Sequence, residues 1–110
     1  MYKGVVIKSS LKNPNILGRF KILEESRSPN SDWELYTIEA TPEQIKQLSY
    51  ELDEGKWYIH FWEGRNVMVV YKDRIFEFNF DDKDNWKPAV DYGLSIGIPI
   101  EQLDFPIEQG

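Results

Sequence analysis

Residues 56–80 read KWYIHFWEGRNVMVVYKDRIFEFNF. Three runs rich in aromatic and β-branched residues, 57–62, 67–71 and 75–80, are separated by Glu63-Gly64-Arg65-Asn66 and by Lys72-Asp73-Arg74. That is the pattern of strands joined by hairpins. Connections this short cannot carry a parallel crossover, so the runs form an antiparallel meander. Side chains alternate along a strand. Phe76, Phe78 and Phe80 therefore share one face of the third run, and Ile75, Glu77 and Asn79 share the other.

Working outward, a helix precedes the meander. Thr41, Pro42 and Gln44 spell a capping box with proline at the first helical position. Ile45, Leu48 and Leu52 repeat at helical spacing, and Gly55 is placed to end the helix. A second helix is expected over about 85–96. Asp84 is its expected cap, Pro88 falls in its first turn, and Gly97 with Pro99 stops it. Further upstream, strands are expected near 2–10, 20–26 and 33–39. A short helical element begins at Asn13-Pro14, and a loop lies at Ser28-Pro29-Asn30-Ser31. The tail from Ile98 carries apolar anchors at Ile100, Leu103, Phe105 and Ile107, and residues 106–110 are expected to fray. The expected fold class is α+β. It is a two-layer sandwich in one domain over 1–110, with a mainly antiparallel sheet and both main helices on one face.

Composition agrees with one globular domain. The chain has 110 residues, 41% hydrophobic and 29% charged, and no cysteine. Disulfides, thiol chemistry and cysteine-based zinc sites are excluded. The N-terminus does not read as a signal peptide, and no run approaches the ~20 apolar residues of a membrane span. These features point to a cytoplasmic protein of prokaryotic style, with no membrane partner. The net charge is −6. Residues 1–40 hold six Lys/Arg against five Asp/Glu, and 41–110 hold seven against fourteen. An acidic C-terminal two-thirds repels phosphate backbones, so no nucleic-acid partner is expected.

The meander also holds the candidate site. Tyr58, His60 and Trp62 share one face of the first run, with His60 the only histidine in the chain. An even hairpin loop centred on Gly64-Arg65 sets His60 opposite Val69 and Tyr58 opposite Tyr71. Such a face could line a pocket for a flat or apolar ligand, with Trp86 or the segment 98–105 closing it. The plainer reading, that these aromatics pack under the second helix or the tail, carries more weight. The turn at 72–74 holds a fork, because a one-residue slip flips every side chain. Two loop residues bring the three phenylalanines beside His60. Three bring Glu77 and Asn79 there, and a His60–Glu77 pair could then act as acid and base.

Other chemistry finds little support. Counted from Asp82, a calcium loop would need glycine at its sixth position and glutamate at its twelfth, where the chain has Lys87 and Gly93. The acidic residues 81–84 instead suit a helix N-terminus. There is no nucleophile elbow and no phosphate loop, and no cofactor is expected.

Three strings, Trp57-Tyr58-Ile59-His60-Phe61-Trp62, Trp86-Lys87-Pro88-Ala89 and Gly97-Ile98-Pro99 leading to Gln102-Leu103-Asp104-Phe105-Pro106, carry a resemblance. They resemble a family of small uncharacterised bacterial and archaeal proteins. The resemblance spans nearly the whole chain and implies a compact, stand-alone cytosolic protein, but it lends no catalytic residue. The expectation is a binding module for a small molecule or protein around Tyr58, His60, Trp62, Tyr71, Glu77 and Trp86. A homodimer-forming structural protein and a His60 enzyme are the alternatives.

Overall fold

A computed structural model describes residues 1–29, 32–53, 55, 57–103 and 105. The expected frayed end, 106–110, lies outside the described residues, as do loop positions 30 and 31. Chain order is β1 (Tyr2–Ile7), two 3₁₀ turns (Lys8–Ser10 and Pro14–Arg19), β2 (Lys21–Arg27), β3 (Glu34–Ala40), α1 (Pro42–Glu51), β4 (Ile59–Glu63), β5 (Asn66–Tyr71), β6 (Arg74–Asn79) and α2 (Lys83–Ser95). A last 3₁₀ turn, Ile100–Gln102, follows α2, where a short helical turn was expected near Glu101. The strands form one sheet in the order β2-β3-β1-β4-β5-β6, and every neighbouring pair is antiparallel. The α+β class, antiparallel sheet and two main helices match the sequence pattern.

Both hairpin registers follow from their turns. Glu63 pairs with Asn66 across Gly64-Arg65, and His60 stands opposite Val69 as expected. Gly64 has φ 58°, a left-handed conformation that glycine adopts without a Cβ clash. Tyr71 pairs with Arg74, so the second loop is the two-residue Lys72-Asp73. Asp73 takes φ 60°, which aspartate tolerates, and its amide donates to the Ser49 carbonyl at 3.0 Å. This docks the turn on α1. The fork therefore resolves to the phenylalanine side.

The helices do not share a face. Strands β3 and β4 both run antiparallel to the intervening β1, so they are parallel to each other, and α1 is their crossover. Ile45 and Leu48 of α1 join Leu11, Ile16 and Leu17 over a core that includes Val6, Ile38, Phe61, Met68 and Val70. On β5 the alternate residues Val67, Val69 and Tyr71 point the other way, into a second core with Ala89, Ile98, Leu103 and Phe105. Helix α2 lies there. Every residue of β5 from Val67 to Tyr71 is buried, because that strand is covered on both faces. A two-layer arrangement would have left one side of this apolar run in water.

Local details correct the sequence reading at several points. α1 ends at Glu51, before Gly55, because Leu52 leaves the helix to bridge Leu11. α2 begins at Lys83 with Asp82 in the N-cap position, so Pro88 lies inside the helix, beyond the first turn. The Asp82 side chain makes no capping bond to a backbone amide; it accepts from the Asn85 side chain. In the tail, Leu103 and Phe105 are buried anchors but Ile100 is exposed. Ile107 lies outside the described residues.

Candidate functional site

The α2 face of the sheet is built in rows. Trp62 lies between Lys3 on β1 and Val67 on β5, and Val67 in turn faces Phe78 on β6. One pair further along, His60 faces Val69, which faces Phe76. Tyr58 enters the same face just before β4 and meets the Tyr71 ring at a centroid distance of 6.0 Å.

These residues converge on one side chain from the tail. Phe105 is fully buried, with ring centroids at 5.8 Å from Tyr58, 6.0 Å from His60, 5.8 Å from Phe78 and 5.2 Å from Trp86. The protein's own phenylalanine thus occupies the place a flat ligand would take. The Tyr71 hydroxyl donates to the Ala89 carbonyl at 2.7 Å, and the ring is fully buried. Burial, reinforced by the Tyr58 and Tyr92 phenols, pushes its pKa far above the ordinary 10.0. The Tyr58 hydroxyl donates to the Gln102 carbonyl. Trp86 donates its indole N–H to the Phe80 carbonyl at 3.0 Å, and Lys83 Nζ lies 3.4 Å from the centre of its ring.

Of the six residues singled out, the fold gathers Tyr58, His60 and Trp86 around Phe105, with Tyr71 in the same core. Trp62 stands beside His60 at 5.5 Å, and both rings are half-buried. Glu77 is not among them. It pairs with Met68, whose side chain packs in the α1-side core. Its charge, after burial, helps raise the Tyr2 pKa on that same side. The acid–base pair that a longer turn would have built is therefore not formed, because the two-residue loop turns Glu77 away from His60.

The same face changes character beyond β4. Lys3, Val5 and Ile7 of β1 and Leu35, Thr37 and Glu39 of β3 point to the α2 side, and all six are half-buried. Their neighbours Tyr2, Val6 and Ile38 belong to the α1-side core, yet these six join neither core. Among the described residues, helix α2, Leu103 and Phe105 join the core over the β4-β5-β6 half.

Hollows also lie elsewhere. A groove of about 190 Å³ between the Pro14–Arg19 turn and α1 is lined by Ile16, Arg19, Phe20, Gln47, Leu48 and Glu51, with Gln44 at its edge. A larger, more open cleft of about 430 Å³ is lined by Trp33, Trp57, Pro99 and Gln102. The rings of Trp33 and Trp57 stand 5.5 Å apart, tilted by 59°. Sequence reasoning missed this cleft. It took Trp33 as the opening of one strand and Trp57 as the opening of another. The signal that could have found it was position: each tryptophan lies in the loop just before a strand, where binding residues concentrate.

Among the described residues, no group of three His, Cys, Asp or Glu side chains could hold a metal ion. No described helix is long and apolar enough to cross a membrane. Comparison of the chain with protein-family models, with curated proteins and with solved structures finds no match.

Proposed function

We propose that the protein is a non-enzymatic interaction module, and that its docking surface is the uncovered half of the α2 face, bordered by His60 and Trp62. One observation carries this reading: among the described residues, a single sheet face is sealed over β4–β6 and left open over β1–β3. The open part has a methyl-rich centre, with Val5 paired to Thr37 and Ile7 to Leu35. Charge closes one end, where Glu39 lies between Lys3 and Lys21.

The occupant that suits this surface is an amphipathic helix of a partner protein. From β1 to β2 is two strand spacings, about 10 Å, which is the width of one helix with its side chains. Such a helix would complete the layer that α2 begins, with its own charged side chains over the Lys3–Glu39–Lys21 end. The absence of cysteine suits the reducing cytoplasm, where we place the protein. The resemblance to a family of small bacterial and archaeal proteins belongs to the same proposal.

Panning a displayed library of amphipathic helical peptides tests the reading. A Val5→Asp/Thr37→Asp double variant serves as counter-selection. Peptides enriched on the wild type are expected to bind the variant at least about tenfold more weakly, a loss of about 1.4 kcal/mol. Equal affinity for both proteins overturns the location. If the wild type sediments as a dimer at micromolar concentration and the variant as a monomer, the occupant is a second copy of this chain.

A further inference from the structure

We propose that the cleft between Trp33 and Trp57 is a separate site that takes a guanidinium group, presented by a basic peptide segment of a partner. Three stretches far apart in sequence build it. Trp33 comes from the approach to β3, Trp57 from the approach to β4, and Pro99 and Gln102 from the turn after α2. At about 430 Å³ it falls within the range of ordinary ligand clefts. Trp33 is 41% exposed, far more than a large ring placed only for packing. The 59° tilt presents two π faces at an angle, so that a planar group can lie against one and be flanked by the other.

Charge selects the ligand. Tryptophan is the strongest cation–π partner, and arginine is the cation most often found on it because its planar fork stacks. Exposed Asp32 adjoins Trp33 in the chain and exposed Glu101 adjoins Gln102. Residues 41–110, which supply three of the four lining side chains, hold fourteen acidic residues against seven basic ones. A nucleic-acid base could stack on the same rings, but its phosphates would be repelled by a chain of net charge −6. A cation gains from both the rings and the field. The chain already uses the contact internally, with Arg74 over Tyr92 at 5.1 Å and Arg65 over Phe80 at 5.3 Å.

The test titrates the intact protein with a blocked Gly-Arg-Arg-Gly peptide and follows the tryptophan indole N–H signals by NMR. The controls are the same peptide with citrulline for arginine, a neutral proline-rich peptide and a short single-stranded oligonucleotide. Saturable shifts of the Trp33 and Trp57 signals are expected with the arginine peptide. Binding should be about tenfold weaker for citrulline, which keeps the shape without the charge, and should weaken as salt is raised. Trp33→Ala, at an exposed position, should abolish the shift of Trp57 while leaving Trp62 and Trp86 unmoved. An Asp32→Asn/Glu101→Gln variant should bind a few-fold more weakly at low salt. Equal binding of the citrulline, proline-rich or oligonucleotide probe overturns the proposal. So does unchanged binding by Trp33→Ala, or the lack of any saturable shift. The Val5→Asp/Thr37→Asp variant should bind the arginine peptide normally, so this proposal and the helix-docking reading can fail separately.

Discussion

On the α2 side of the sheet, Val69 and Val5 are the same residue type in neighbouring parts of one face. Val69 is fully buried beneath the layer of α2 and Phe105, whereas Val5 is half-buried and joins neither core. Strand pairing is continuous from one half to the other. What separates them, among the described residues, is the layer of α2, Leu103 and Phe105, which packs over the β4–β6 half. A sheet face therefore carries no fixed fate of its own. Its burial is set by what packs over it.

The sharpest way to break this comparison is to remove the seal. Phe105→Ala is expected to destabilise the protein by about 3–5 kcal/mol, the usual range for deleting a buried phenylalanine. Urea unfolding measures it, and a loss below about 1 kcal/mol would mean that the tail is a bystander. The matched pair Val69→Ala and Val5→Ala comes next. Val69→Ala should cost about 2 kcal/mol through lost burial and a residual cavity. Val5→Ala should stay near 0.5 kcal/mol, as at a surface site. Equal losses would show that both halves are covered in solution.

Gly93→Ala probes how tightly the seal is drawn. A Cβ there would come within 2.5 Å of Leu103 and 2.7 Å of the Tyr71 hydroxyl. Overpacking costs about 1–3 kcal/mol, while alanine regains about 1 kcal/mol of helix propensity. A net loss of about 1 kcal/mol is expected in thermal unfolding, and a gain would show that Leu103 can yield. The smallest effect concerns pH. The folded Tyr71 pKa is raised, so its contribution to stability is complete below the unfolded value near 10.0 and is lost as pH climbs towards the folded one. Stability should fall above about pH 10, and Tyr71→Phe should flatten that fall. An unchanged alkaline profile in the variant would place the titrating group elsewhere, with Tyr2 the next candidate because its pKa is also raised.

Several features could be read from neighbouring residues alone. Thr41 and Gln44 form the capping box, with Gln44 N–H donating to Thr41 Oγ1 at 3.2 Å and Thr41 N–H to Gln44 Oε1 at 2.9 Å. Gly64-Arg65 closes an even hairpin and thereby sets His60 against Val69. These motifs complete their hydrogen bonds within a few residues, so their energetics need no distant partner. The Lys72-Asp73 turn stood at the limit of that logic. Both loop lengths suited the sequence, and the bond from Asp73 to Ser49 on α1 is a tertiary contact that no local pattern contains.

Sequence alone determined the alternation of the meander, both main helices and the tyrosines and histidine that share a strand face, because these follow from backbone periodicity and local capping. Only the tertiary structure decided that α1 and α2 lie on opposite sides, that Phe105 fills the space beside His60, that Glu77 points away, and that Trp33 meets Trp57. Each of these outcomes joins segments tens of residues apart. They are fixed by competition for a limited covering of apolar surface, a quantity that belongs to the whole chain and to no single stretch of it.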